Sequence, residues 1–217
     1  YVRYYPPNPD NSEILFDHSL AAASKMDKDL ASIISESNKA IVELSNHELT
    51  SYFQDVPNVG DQIATRVSSA IILSKIAEVT PALIGGSADL TGNTGTKISS
   101  FKPFSATEYS GRQIHFGIRE HAMGAIAVGM CAGYGLRTFT GTFFVFSDYM
   151  KPAIRMAALM EIPVKFIWTH DAFRVGEDGP THEPVEQEAQ IRLMEKLKNH
   201  HGADSVRVLR PADAEET

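Results

Sequence analysis

The stretch that decides the fold is residues 113–143, QIHFGIREHAMGAIAVGMCAGYGLRTFTGTF. A short apolar segment over 113–116 precedes residues 118–134, which carry small apolar side chains on every face. Residues 136–143 are rich in Thr and Phe, which favour strands. The pattern predicts a strand, a buried helix and a second strand, and repeated units of this kind build a sheet of parallel strands.

The same alternation continues on both sides of this stretch. Upstream, a helix is predicted to begin at an N-cap on Asp61 and to run to residue 79, followed by a strand over 82–85. Downstream, the pattern predicts a helix over 147–160 capped by Ser147, a strand over 164–168, a helix over 185–199, a strand over 206–209 and a further helix from Arg210. We therefore expect an α/β domain with a mostly parallel sheet flanked by helices.

Two regions are expected along the chain. Residues 1–59 combine a proline-rich start with a helical pattern over 14–53, and the breaker cluster at 57–60 separates them from the alternating region. We predict a linker containing helices over 1–59 and a compact domain over 60–217. Because the first residues lack a start signal and the last predicted helix is barely begun at Thr217, the chain is expected to be cut at both ends, with the domain truncated at its C-terminal end.

Composition excludes several function classes. The net charge is −7 over 217 residues, which disfavours non-specific nucleic-acid binding because that depends on Lys and Arg at phosphates. No apolar run approaches the roughly 18 residues of a membrane span. Cys131 is the single cysteine, so no internal disulfide can form, and a reducing compartment is expected.

The chemically unusual segments follow the predicted strand ends. They begin at residues 86, 117, 143 and 170, and the carboxyl ends of parallel strands meet at one edge of a sheet. We therefore expect these segments to share one rim and to form a site.

Two of these segments each allow two interpretations. Glu120 opens an otherwise apolar helix, where it could cap the first turn, or could act as an acid or base at the edge of a buried zone. Phe143, Phe146 and Tyr149 recur every three residues, so they could pack in the core or form a slot for a flat heterocycle.

The segment 169–182 holds two histidines and three acids within fourteen residues. The spacing of His170 and His182 fits no common zinc pattern, so no metal site is predicted there. A solvated loop is the plain alternative, but two glycines and a proline specify its backbone. Hydrogen bonding to a polyhydroxylated substrate suits these side chains better than metal ligation.

The combination of motifs resembles the transketolase family. The segments that carry the resemblance, in order, are GGSADLT (85–91), FGIREHAMGAI (116–126), GTF (141–143), THD (169–171), VGEDGPTH (175–182) and RPAD (210–213). The resemblance covers roughly residues 60–217 and implies the pyrimidine-type domain of the thiamine diphosphate-binding fold.

The resemblance also implies roles for individual residues. Glu120 matches the glutamate that hydrogen-bonds the aminopyrimidine of thiamine diphosphate, with Phe143, Phe146, Tyr149 and Asp89 around it. His170 matches a catalytic group that also binds substrate hydroxyls. The other implied substrate contacts are Arg66, Asp178, His182 and Asn93, the last standing where the family has a serine.

Further implications concern the whole enzyme. The cofactor is thiamine diphosphate with Mg²⁺ or Ca²⁺, whose ligands are expected in a diphosphate-binding domain outside this chain. The partners are sugar phosphates and that domain in the other subunit of a homodimer, in the cytoplasm and the pentose phosphate pathway. Dihydroxyacetone synthase and 1-deoxyxylulose-5-phosphate synthase are alternative enzymes, and a module that is inactive in isolation is an alternative of another class.

Overall fold

The computed structural model describes residues 2–3, 28–46, 62–171 and 173–217. Within these ranges, six strands form one sheet: β1 (Val2–Arg3), β2 (Leu83–Ser87), β3 (Gln113–His115), β4 (Arg137–Phe143), β5 (Lys165–Thr169) and β6 (Arg207–Val208). The order across the sheet is β3-β2-β4-β5-β1-β6. The first four strands in that order pair in parallel, whereas β1 is antiparallel to β5 and to β6. The predicted α/β fold with a mostly parallel sheet is confirmed.

In the part of the chain that the structure describes, five α-helices accompany the sheet. They are α1 (Lys28–Asn46), α2 (Thr65–Val79), α3 (Glu120–Tyr134), α4 (Lys151–Leu159) and α5 (Gln187–Met194). Two 3₁₀ segments, Phe144–Tyr149 and Phe173–Asp178, follow β4 and β5. Within the described residues, the predicted helix over 14–53 corresponds to α1, and its remaining positions lie outside them.

The core has one layer on each face of the sheet, because alternate strand residues point to opposite sides. On β5, Phe166 and Trp168 belong to the cluster that contains residues of α3 and α4, whereas Ile167 belongs to the cluster that contains Ala77 of α2. Gly124 allows α3 and α4 to approach closely, since a Cβ there would lie 2.8 Å from Cβ of Ala153.

Helix α1 contacts the amino-terminal edge of the sheet. The Ser37 hydroxyl accepts a hydrogen bond from the Ala82 amide at 2.7 Å, and both Ile34 and Ser37 are buried. Arg137 donates to Asn38 Oδ1 at 2.5 Å. This helix therefore lies at the end of β2 and β4 opposite to the carboxyl rim.

Three details of the predicted elements, two helix starts and the last helix, were wrong. Helix α2 begins at Thr65 rather than directly after residue 61, and its N-cap, Ala64, makes no side-chain hydrogen bond; the predicted cap, Asp61, lies outside the described residues. Ser147 caps no helix, because residues 144–149 form a 3₁₀ turn before α4 begins at Lys151. Residues 211–217 contain no helix, although Asp213 Oδ1 accepts bonds from the amides of Glu215 and Glu216.

Helix α3 was expected to be buried all round, and it is not. Met123, Gly124 and Ala127 are buried, but the opposite face is exposed, including Ile126 at 47 %. Small side chains on every face make the sequence apolar without showing which faces a neighbour covers. The exposed positions of this face are His121, Ala122, Ala125, Ile126, Gly129, Ala132, Gly133 and Tyr134.

Of the helices within residues 28–46, 62–171 and 173–217, none combines the length and apolar character that crossing a bilayer requires.

Candidate active site

The carboxyl ends of the four parallel strands lie at one edge of the sheet. Pairing of Ser87 with His115 and with Gly141, and of Phe143 with Thr169, brings the four strand ends side by side. The segments that follow these ends are the ones that the sequence singled out. The shared rim therefore exists because the strands are parallel and in register.

A cleft of about 420 Å³ opens at this rim. It brings together five of the predicted site residues from the four segments that follow these strands. Three apolar residues that sequence reasoning did not single out also line it, although each lies inside a quoted motif: Ala88, Leu90 and Ile118. The full lining is Ala88, Asp89, Leu90, Ile118, Glu120, Phe146, Tyr149 and His182.

Glu120 is the first residue of α3 and is only 8 % exposed. The helix has no side-chain cap at Arg119, and the Glu120 carboxylate lies where the positive end of the helix dipole stabilises it. Because the residue also lines the cleft, the two interpretations of Glu120 are compatible. A carboxylate at a helix start is held in this cavity.

The aromatic series lies along a 3₁₀ turn. This helix type has three residues per turn, so residues spaced by three stand above one another. The Phe143 and Phe146 rings are 6.2 Å apart at 8°, and those of Phe146 and Tyr149 are 6.3 Å apart at 30°. Phe143 is only 6 % exposed, whereas Tyr149 is 62 % exposed, so the series runs from the core to the mouth of the cleft.

Two histidines flank this aromatic series. The His170 ring stacks on Phe143 with 3.8 Å between ring centroids, and the His182 ring meets Phe146 edge-on at 5.3 Å. A hydrogen bond of 2.8 Å joins Nδ1 of each histidine to the hydroxyl of the preceding threonine, Thr169 or Thr181. Each ring is thereby held in one orientation that leaves Nε2 for another partner.

Charged groups surround His170. Burial lowers the pKa of its imidazole, and the Arg66 guanidinium lowers it further, while the carboxylates of Asp178 and Asp171 act in the opposite direction. Arg66 on the first turn of α2 and Asp178 after β5 thus act on the same imidazole. His170 favours its neutral form near neutral pH.

Asn93 is not brought into the cleft lining. It is exposed in the turn after β2, where the Thr94 hydroxyl bonds to the Leu90 carbonyl at 2.9 Å. Asp89 does line the cleft, with a left-handed φ of 63° that Asp tolerates better than most residues. Within residues 2–3, 28–46, 62–171 and 173–217, no group of three His, Cys, Asp or Glu side chains is placed to hold a metal ion.

The comparison with known families decides what this arrangement belongs to. The model of the transketolase pyrimidine-binding domain matches residues 61–217. This chain belongs to the transketolase family.

Individual transketolases agree with that assignment. The chain is 51 % identical over 166 residues to the transketolase of Bacillus subtilis, covering 76 % of this chain and 24 % of that protein. It is 51 % identical over 158 residues to that of Treponema pallidum, covering 73 % of this chain and 22 % of that protein. The chain therefore spans about a quarter of the length of the curated relatives it matches.

Solved transketolases share the fold. The structure from Campylobacter jejuni superposes with a TM-score of 0.61 at 42 % identity, over 73 % of this chain and 24 % of that one. A Pichia stipitis transketolase in complex with sedoheptulose 7-phosphate superposes with a TM-score of 0.65 at 36 % identity. The match covers 84 % of this chain and 28 % of that one. The predicted membership of the family is confirmed, and the two alternative enzymes gain no support.

The environment of His170 predicts a pH dependence of stability in this transketolase domain. Since burial lowers its pKa from the ordinary 6.5, the unfolded chain binds more protons than the folded chain just below pH 6.5. Stability should therefore be lost as the pH falls from about 6.5 through the lowered pKa. Urea unfolding at about pH 7.5 and about pH 5.5 should show a smaller loss for His170→Gln than for the wild type. Equal losses in both proteins would contradict the prediction.

Proposed function

We propose that this chain supplies the pyrimidine-binding half of a transketolase active site. The complete enzyme would transfer a two-carbon ketol unit from a ketose phosphate to an aldose phosphate through thiamine diphosphate. The observation that carries the proposal is the cleft that Glu120, Phe146 and Tyr149 line together. A carboxylate beside aromatic rings is the chemistry that a flat, nitrogen-bearing ring requires.

The cleft fits an aminopyrimidine in size and in chemistry. Its volume of about 420 Å³ suits a small ring system, and stacked aromatic side chains favour a flat heterocycle. Thiamine diphosphate, when bound, supplies the carbanion stabilisation that the reaction needs. Glu120 would accept a hydrogen bond from the pyrimidine, while Phe143, Phe146, Tyr149 and Asp89 would hold the ring in place.

The groups around His170 would bind the sugar substrate. The neutral imidazole can donate or accept a hydrogen bond at a hydroxyl beside the reacting carbon, and Asp178 can accept one. The Arg66 guanidinium suits a phosphate group. His182 would add a further contact, and Asn93 would take part through its amide if the bound substrate extends as far as the turn after β2.

The rest of the enzyme would complete the site. A diphosphate-binding domain of a second subunit would hold Mg²⁺ or Ca²⁺ and the diphosphate, in a homodimer working in the cytoplasm and the pentose phosphate pathway. The exposed apolar face of α3 begins beside the cleft at Glu120, so it is the surface that a partner subunit at this cleft would cover.

The decisive test is an activity assay of the full-length protein with thiamine diphosphate and Mg²⁺. We expect a ketose phosphate donor and ribose 5-phosphate to react, with formaldehyde the poorer acceptor. Preference for formaldehyde would favour a dihydroxyacetone synthase. No transfer to either acceptor would refute the proposed reaction.

Calorimetry of the 217-residue chain tests the division of the site. Since the diphosphate and metal ligands are expected in another domain, the chain alone should show no measurable binding of thiamine diphosphate with Mg²⁺. Tight binding by the chain would overturn that division.

Phe146→Ala is expected to weaken cofactor binding in the full-length protein. Loss of the ring between Phe143 and Tyr149 should cost about 1–2 kcal/mol, which raises the Kd for thiamine diphosphate roughly 5- to 30-fold. Calorimetric titration of the apoprotein measures this change. Phe104→Ala is a matched control, since that ring pairs with Tyr109 at 6.0 Å outside the cleft. An unchanged Kd in Phe146→Ala would count against the aromatic slot.

A further inference from the structure

Arg210 connects the end of the sheet to the loop that carries His170. It follows β6, and its Nε donates to Asp171 Oδ2 at 2.8 Å while its Nη2 donates to the Asp171 carbonyl at 2.9 Å. Nη1 lies 3.6 Å from Glu188 Oε2 on the first turn of α5. One guanidinium thus binds both the side chain and the backbone of Asp171, and it also pairs with Glu188 of α5.

The residue held in this way adjoins a strained part of the site. His170, immediately before Asp171, has a left-handed φ of 56°, which a non-glycine residue keeps only when its surroundings impose it. Its ring stacks on Phe143 at 3.8 Å and bonds to Thr169. These two contacts involve the ring, whereas the backbone on its C-terminal side is bound by Arg210.

We infer that Arg210 is a positioning residue that holds His170 against the aromatic series through Asp171. The fixed fork of the guanidinium satisfies a carboxylate oxygen and a carbonyl oxygen of one residue at once, which defines the direction of the chain there. Glu188, which also pairs with Arg192, anchors the other side of the fork. The consequence for catalysis rests on the proposed function, but the consequence for the His170 ring does not.

A plain surface ion pair is the competing account, because the side chains of Arg210 and Asp171 are 41 % and 37 % exposed. Such pairs contribute little by themselves. Arg192 provides a matched control: it is 42 % exposed and binds the same Glu188, but it donates to the Val208 carbonyl instead of to Asp171. A general effect on α5 would appear in both Arg210→Ala and Arg192→Ala, whereas a loss of His170 positioning would appear in Arg210→Ala alone.

The test uses the full-length protein labelled at the histidine ¹³Cε1 atom, with His170→Gln to assign the signal. Stacking on Phe143 should shift the His170 ring proton upfield. In Arg210→Ala this upfield shift should largely disappear, and in Arg192→Ala it should stay. Arg210→Lys should fail to restore the shift, because a single ammonium cannot replace the fork.

Activity gives a second readout. Since displacement of an active-site group by about 1 Å can cost up to about 100-fold, Arg210→Ala should lower kcat/KM for the sugar phosphate by about tenfold or more, and Arg192→Ala by less than about twofold. Where Arg210→Ala does not fold, Asp171→Asn replaces it, with a smaller shift in the same direction.

An unchanged His170 signal in Arg210→Ala, or in Asp171→Asn if that variant is needed, overturns the inference. Restoration of the upfield shift by Arg210→Lys also overturns it, because a positive charge without the guanidinium fork would then be sufficient. The signal needs no cofactor or substrate, so a wild type without ketol transfer would refute the proposed function and leave this inference standing.

Discussion

Glu120→Gln is expected to lower transketolase turnover of the full-length protein by about 10²- to 10⁴-fold, which is the usual rate contribution of a positioned acid or base. The amide has nearly the shape of the carboxylate, so the cleft beside Phe146 and Tyr149 should stay intact. What is lost is a negatively charged acceptor at the start of α3. The main effect should fall on kcat, with less change in the KM of the sugar phosphates.

Glu78→Gln is the control for this measurement. Glu78 is an exposed carboxylate near the end of α2 and does not line the cleft. Its loss should leave turnover within about twofold of the wild type. Near-normal turnover of Glu120→Gln with saturating thiamine diphosphate would remove Glu120 from its proposed role.

The second large effect is expected on stability, in Gly86→Ala. Gly86 is buried in β2 between Ile114 of β3 and Thr140 of β4, and a Cβ there would lie 1.8 Å from the carbonyl oxygen of Ile114. Backbone on both sides is held in the sheet, so no flexible side chain can move aside. We expect the free energy of unfolding of the 217-residue chain to fall by about 3 kcal/mol or more, measured by urea denaturation.

Gly92→Ala controls for the loss of a glycine as such. It lies in the turn after the same strand, and a Cβ there would meet nothing within 4 Å. Its stability should remain within about 0.5 kcal/mol of the wild type. If Gly86→Ala is as stable as Gly92→Ala, the close approach of β2 and β3 at this point is contradicted.

The aromatic series shows how far spacing alone reaches. Phe143, Phe146 and Tyr149 recur every three residues, which fits one face of an α-helix loosely and a 3₁₀ turn closely. The sequence pattern predicts an α-helix capped by Ser147, yet residues 144–149 form the tighter turn. Ser147 and Phe144 are buried there, so tertiary packing selects the helix type that local propensity leaves open.

Helix α3 shows the converse limit. Its sequence correctly predicts an apolar helix, but small side chains on all sides carry no signal of which face a neighbour covers. Only the packing of Met123 and Ala127 into the core reveals that Ala125, Ile126 and Gly129 remain exposed.

The sequence by itself determined the parallel α/β class, the strand ends at which chemistry gathers and the transketolase motifs, because periodicity and motif spacing are local properties of the chain. Only the tertiary structure decided that Arg210 binds Asp171, 39 residues away, and that Ile118 and Leu90 line the same cleft as Glu120. These contacts depend on the lateral order and register of the strands. That order follows from the packing of the whole core, which no single segment encodes.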